Sequence, residues 1–270
     1  MYRSLELICF HPLLNPIFIM SSFPKGIFVT GTDTGVGKTV VSAAVAFNLQ
    51  QLGKKVVVMK PVQTGTDSAG LMDIEFVGLV MGIKHNIDEV CPYRFPHPVA
   101  PSVAANLVGE KVELEKIKSA FHQLCSNYDT VIVEGAGGLL VPIAEDYLMS
   151  DLVLDLELPL LIVTRPSLGT LNHTLLTVEC AKARGIRVLG IIISQFPLVP
   201  DIAERTNPEL ILEMTGELLL GVLPFDNEIS VEEGKIGKLR DIAGSYFSPE
   251  LGGSFIVQDF LSDLSKLRAP

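Results

Sequence analysis

Between Gly26 and Thr39 the chain reads Gly-Ile-Phe-Val-Thr-Gly-Thr-Asp-Thr-Gly-Val-Gly-Lys-Thr. A short apolar strand, a turn of small residues and a Lys-Thr pair opening an apolar helix leave few folds open. Such a turn lets backbone N–H groups converge on phosphate oxygens, and the helix start adds partial positive charge. Lys38 supplies an ammonium for the outer phosphates, and the Thr39 hydroxyl is a ligand for Mg²⁺. The common spacing is Gly, four residues, then Gly-Lys-Ser/Thr. Here Thr32 stands where the leading glycine belongs and Gly31 comes one place earlier, so the loop is a longer variant.

The segment after the loop completes a βαβ unit. Val41, Ala44, Val45, Leu49 and Leu52 make a helical stripe from Lys38 to Leu52, which Gly53 ends. Lys55–Lys60 is then an apolar run of strand length, as a buried parallel strand requires. Further apolar strands are expected at 129–134, 159–164, 187–193 and 218–223. Helices are expected at 73–81, 103–107, 111–128, from 167 to about 184, and at 208–216. Pro92 to Pro101 reads as a stiff loop. The alternation predicts an α/β fold: a doubly wound, mostly parallel sheet with helices on both faces, of the P-loop NTPase type.

Two charged residues close apolar strands, where open α/β sheets keep their ligand crevice. Lys60 ends one and is held extended by Pro61; Glu134 ends another and leads into Gly135-Ala-Gly-Gly138. An acid there is placed for Mg²⁺, and the glycines let backbone approach a ligand closely.

Four blocks together resemble the dethiobiotin synthetase family. They are the loop Gly31–Thr39, Lys60-Pro-Val-Gln-Thr-Gly65, Val133-Glu-Gly-Ala-Gly-Gly138 and Leu168-Gly-Thr-Leu-Asn-His173. The resemblance runs from about Gly26 to about Phe225. It implies a cytoplasmic homodimer that uses ATP, Mg²⁺, CO₂ and 7,8-diaminononanoate and closes a ureido ring. It implies that Lys60 and Lys38 act on the carbamate and the phosphates. Nucleotide contacts carried over from the family are Gly35, Val36, Gly37, Lys38, Thr39, Val40, Asp73, Glu134, Gly135, Ala136, Gly137, Ser194, Gln195, Pro224, Phe225 and Asp226. The implied metal ligands are Thr39, Asp73 and Glu134, with Asp67 the alternative to Asp73. Thr64, Leu168, Gly169, Thr170 and Asn172 fall on the substrate, the last four holding its carboxylate tail across the dimer interface. Some relatives carry Asn at the position of Ser194 to read the adenine edge; a single hydroxyl leaves that selectivity open. The alternative is a nucleotide-switched dimer resembling the chromosome-partitioning ATPases. Those carry an extra lysine early in the loop, and Thr30 to Thr34 has none.

Composition sets the remaining bounds. With 270 residues, 48% of them hydrophobic, the chain can bury a full core, expected as one domain over 26–270. A formal net charge of −10 argues against nucleic-acid or anionic-membrane partners. Cys9, Cys91, Cys125 and Cys180 are scattered without paired spacing and read as free thiols. Residues 1–25 are mostly apolar from Leu5 to Met20 but contain Glu6 and His11 and are broken by Pro12 and Pro16, too short and interrupted to span a bilayer. The expectation is that Met20 is the natural start or that this stretch is a disordered or packed arm. Residues 227–270 show no legible site and are expected to cap the sheet or serve an interface.

Overall fold

The computed structural model describes residues 24–67 and 70–267. The expected N-terminal extension falls almost entirely outside them. In chain order the first elements are β1 (Gly26–Gly31), α1 (Lys38–Gln51), β2 (Val56–Met59), β3 (Val62–Thr64), α2 (Asp73–Met81), α3 (Ile87–Val90) and β4 (Tyr93–Phe95). Then come α4 (Pro101–Leu107), α5 (Leu114–Asn127), β5 (Thr130–Glu134), β6 (Pro142–Ala144), β7 (Tyr147–Leu148), α6 (Met149–Asp155), β8 (Leu160–Thr164), α7 (Thr170–Ala183) and β9 (Val188–Phe196). The chain continues with α8 (Ile202–Thr215), β10 (Leu219–Pro224), β11 (Ile229–Ser230), β12 (Lys235–Ile236), α9 (Leu239–Tyr246), a 3₁₀ turn at Pro249–Leu251 and α10 (Val257–Lys266).

Six strands form one parallel sheet in the order β10-β9-β8-β1-β5-β2. Every residue of β1, β5 and β8 is buried, which is why these strands read as unbroken apolar runs. The crossover from β1 to β2 runs opposite to all later ones in the sheet. Right-handed connections therefore put α1 on one face and α5 to α8 on the other. α1 packs against α2 and α9, and α7 packs against α8. The winding reverses at β1, so the crevice for a ligand opens at its C-terminal end.

Local chemistry explains where the elements begin. α2 starts at Asp73 because the Glu75 carboxylate accepts the Met72 N–H at 2.9 Å. α8 begins at Ile202, six residues before the expected start at Pro208. Asp201 accepts the Glu204 N–H at 2.8 Å and Glu204 accepts the Asp201 N–H at 2.9 Å, a reciprocal cap that outweighs the interior proline. α5 begins at Leu114 rather than Lys111, since the Glu113 N–H is donated to the Tyr93 hydroxyl at 2.8 Å. The loop expected from Pro92 to Pro101 contains β4, which pairs in parallel with β3 between Pro92 and Pro96. The strand expected at 187–193 extends to Phe196.

The C-terminal region caps the sheet. Asn48 of α1 donates to the Ala243 carbonyl at 3.3 Å, Phe247 is fully buried against Gly221, and α10 packs on α8 and β10. No helix among the described residues is long and apolar enough to cross a membrane.

Cys91 is 1% exposed, its thiol donating to the Tyr93 carbonyl at 3.5 Å, and burial pushes its pKa up to about 12. The thiolate is the reactive form. Iodoacetamide at pH 8 is therefore expected to leave Cys91 unmodified in the folded protein and to label it in urea. Peptide mass spectrometry checks this; labelling of the native protein at the rate seen in urea would contradict it.

Candidate active site

The site grows out of strand register. Met59 of β2 lies opposite Val133 of β5, so the next residues, Lys60 and Glu134, stand side by side and emerge on the same face. Val29 of β1 lies opposite Glu134, which carries the phosphate loop to the same place. The Lys60 ammonium reaches Asp73 Oδ2 at 2.6 Å and Glu134 Oε1 at 2.8 Å, and donates to the Gly135 carbonyl at 3.3 Å. The Thr39 hydroxyl donates to the same Glu134 Oε1 at 2.8 Å. Lys60 and Glu134 are buried, and Asp73 is four-fifths buried.

Burial shapes the charges. It works to lower the Lys60 pKa, but the charges of Asp73 and Glu134 and the hydrogen bonds to both hold it above the usual lysine range. Burial works to raise the Asp73 pKa; the Lys60 charge and hydrogen bond, helped by Thr39 and Lys38, hold that carboxyl below its ordinary value. Lys38 goes the other way: burial, then the Lys60 charge, press its ammonium down to about 8. Its Nζ donates to the Asp33 carbonyl at 3.1 Å, folding the lysine back over the loop.

The loop spans residues 32–37. Gly31, the displaced glycine, is the last residue of β1. A Cβ there would lie 2.7 Å from the Asp33 carbonyl and 2.9 Å from the Lys38 ammonium, so the tight fold-back of the longer loop needs glycine at that place. Gly37 precedes α1 with φ +92°, and a Cβ on it would meet the Ser194 hydroxyl at 2.5 Å. Ser194 is thus packed beneath the loop and 2% exposed. Gln195 beside it has φ +61° and donates to the Gly35 carbonyl at 2.9 Å. Val36 is fully buried and anchors the loop; Val40 is half-buried on α1.

Thr39, Asp73 and Glu134 fit a hard cation. Their donors are all oxygens, and Mg²⁺ takes one or two carboxylates beside substrate phosphates. Glu134 Oε2 is buried and has no hydrogen-bond partner among the described residues, which is the atom a cation would satisfy. Asp67 lies on the exposed loop after β3 and does not join this group. Thr64 closes β3. Gly135, Ala136 and Gly137 come directly after Glu134, and the Gly137 carbonyl accepts the Gly31 N–H at 3.3 Å, pinning that turn to the loop base.

Leu168, Gly169, Thr170 and Asn172 form the start of α7, with Leu168 89% exposed and Gly169 at φ +95°. Pro224 ends β10; Phe225 is exposed and donates its N–H to the Phe196 carbonyl at 2.8 Å. The Asp226 carboxylate accepts the N–H groups of Glu228 and Lys238, so in this structure it caps a turn.

One charged pair was not legible from the residues alone. Arg165 binds Asp33 of the loop at 2.6 Å. Its sequence signal is the one that marks Lys60: a charged side chain between an apolar strand and a proline, here Pro166.

Comparison with known proteins places the chain in a family. A family model described as AAA domain matches residues 25–233. An ATP-dependent dethiobiotin synthetase from Bacillus licheniformis is 44% identical over 207 residues, 74% of this chain and 86% of the relative. One from Thermodesulfovibrio yellowstonii is 39% identical over 225 residues, 79% of this chain and 93% of the relative. Among solved structures, a ParA family ATPase from Chlorobium tepidum has a TM-score of 0.51 at 19% identity, covering 82% of this chain and 98% of its own. A plasmid partition protein from Borrelia burgdorferi bound to AMPPNP has a TM-score of 0.51 at 14% identity, covering 90% and 96%. At such identities the structural likeness establishes the P-loop fold alone.

Proposed function

The chain belongs to the dethiobiotin synthetase family, and from that premise we propose that its crevice makes dethiobiotin, ADP and phosphate from 7,8-diaminononanoate, CO₂ and ATP. One amine of the diamine adds to CO₂ and gives up a proton, forming a carbamate. A carbamate oxygen attacks the γ-phosphorus and ADP leaves. The second amine attacks the carbonyl carbon of the mixed anhydride and gives up a proton, phosphate leaves and the ureido ring closes. Little covalent chemistry falls to the protein; it positions the reactants and neutralises charge.

In this reading Gly35 to Val40 cradle the phosphates, with Gly135 to Gly137 along their flank. Ser194, Gln195 and Pro224 to Asp226 form the nucleoside side. Thr39, Asp73 and Glu134 hold Mg²⁺, which neutralises phosphate charge when bound. Lys60 and Lys38 stabilise charge on the carbamate and the transferring phosphoryl group. Thr64 binds the diamine, and Leu168 to Asn172 hold its carboxylate tail across the dimer interface, where the first turn of α7 suits an anion. We further propose one domain over 26–270, a cytoplasmic setting and a homodimer; the exposed Leu168 suits cover by a second copy.

The observation that carries this reading is the Lys60 ammonium, buried between Asp73 and Glu134 beside the phosphate loop. A plain nucleotide switch has no evident use for it. Phosphate release from Mg-ATP with bicarbonate, with and without 7,8-diaminononanoate, tests the reading. Release is expected to depend on the diamine. Equal release without it would leave a working phosphate loop and remove the synthetase assignment in favour of a switch.

A further inference from the structure

At the end of β8 two consecutive residues reach two consecutive residues of the phosphate loop. Gly31 lies opposite Val163, and the pairing continues past the end of β1 through backbone and side chains. The Thr32 N–H is donated to the Val163 carbonyl at 3.0 Å, and the Thr32 hydroxyl lies 3.1 Å from the Thr164 hydroxyl. One residue on, Arg165 holds the Asp33 carboxylate, whose other oxygen accepts the Thr34 N–H at 2.7 Å. Asp33 also offers its carbonyl to Lys38. The same Thr164 hydroxyl lies 2.7 Å from that of Thr170 and 2.9 Å from that of Thr174, both on α7. Thr164, Thr170 and Thr174 are all buried. A depression of about 230 Å³ lies over the cluster, with Thr32 on its loop side and Ser167 and His173 on its α7 side.

A hydroxyl has one hydrogen and two acceptor sites. Thr164 meets three hydroxyls and so spends all of its capacity; it can donate to only one neighbour and must accept from the other two. The direction of the bond to Thr32 therefore constrains the bonds to α7, and these directions are the discrete alternatives that two sites can bias. We propose that Thr164 and Arg165 are a positioning couple that links the nucleotide loop to the substrate-binding start of α7, so that filling one site orders the other. This rests on the proposed role of α7 in holding the diamine across the dimer interface, so the link runs between the two sites of the homodimer.

The test is calorimetric binding of 7,8-diaminononanoate with and without β,γ-methylene-ATP and Mg²⁺. In the natural protein the nucleotide is expected to tighten diamine binding at least about fivefold. Thr164→Val should cut that factor to under about twofold while each ligand still binds alone. Thr164→Ser, which keeps the hydroxyl, should retain it. Arg165→Ala, at a partly exposed position that does not threaten folding, should weaken the coupling in the same direction and carries the test if Thr164→Val does not fold. A packing role alone would change stability and leave the coupling factor intact. Full coupling in both Thr164→Val and Arg165→Ala, or none in the natural protein, overturns the proposal while leaving the synthetase reading standing. No diamine binding to the natural protein takes down both.

Discussion

Replacing Lys60 with alanine is expected to lower diamine-dependent phosphate release by a factor of about 10²–10³, the scale of losing one preorganised charge-stabilising donor. The same change is expected to destabilise the fold. Lys60 is the ammonium between Asp73 and Glu134, and the Glu134 oxygen it contacts is buried. Removing the cation leaves two carboxylates facing each other with little water, a loss of about 3–5 kcal/mol for a broken buried pair. The two effects separate on adding Mg²⁺. With Lys60 gone, the carboxylates and Thr39 offer the divalent cation more negative charge, so millimolar Mg²⁺ should recover much of the lost melting temperature and little of the rate. Melting curves with and without Mg²⁺, beside the phosphate-release assay, measure both. A variant that turns over normally would remove Lys60 from the chemistry. One that melts normally would show that water reaches the pair.

The second large effect is expected at Gly37. Its φ of +92° lies where a side chain strains the backbone, at roughly 1–3 kcal/mol. Alanine there would also drive a methyl to 2.5 Å from the Ser194 hydroxyl and 3.3 Å from its Cβ. The loop, not buried β9, is the part free to yield, and its displacement moves the N–H groups aimed at phosphate. Gly37→Ala is therefore expected to weaken Mg-ATP binding by about 10²-fold or more, the scale of a few lost charge-assisted hydrogen bonds. Adding Ser194→Gly removes the clash but not the strained φ, so the double variant should recover part of the affinity and not all. Equilibrium titration with a fluorescent ATP analogue reads both variants. Unchanged affinity in Gly37→Ala would mean that the loop adopts another shape when nucleotide binds.

Much of the site was legible because the residues that make it are also the punctuation of the fold. Gly31, Gly37 and Lys38-Thr39 mark the passage from β1 to α1, and Lys60 and Glu134 each terminate an apolar run. Asp73 opens a helix whose cap, Glu75, sits two residues on. Elements whose limits depend on distant partners were less legible. β4 exists because β3 is beside it, and α8 starts early because a reciprocal cap at Asp201 and Glu204 outweighs Pro208. The hydroxyl cluster around Thr164 left no pattern, because its members lie up to 142 positions apart and a buried threonine looks like any β-branched strand residue.

By itself the sequence determined the parallel α/β fold, the phosphate loop and the charged residues at the strand ends, since apolar periodicity and glycine placement act over a few residues. The tertiary structure alone decided which of those residues meet. Register between β2 and β5 sets Lys60 against Glu134, and the reversal of winding at β1 brings α2 and the end of β8 to the same loop. Ser194 shows the difference most directly. Its place in the chain marks only the end of an apolar strand, whereas the folded protein sets its hydroxyl directly under Gly37, against the phosphate loop.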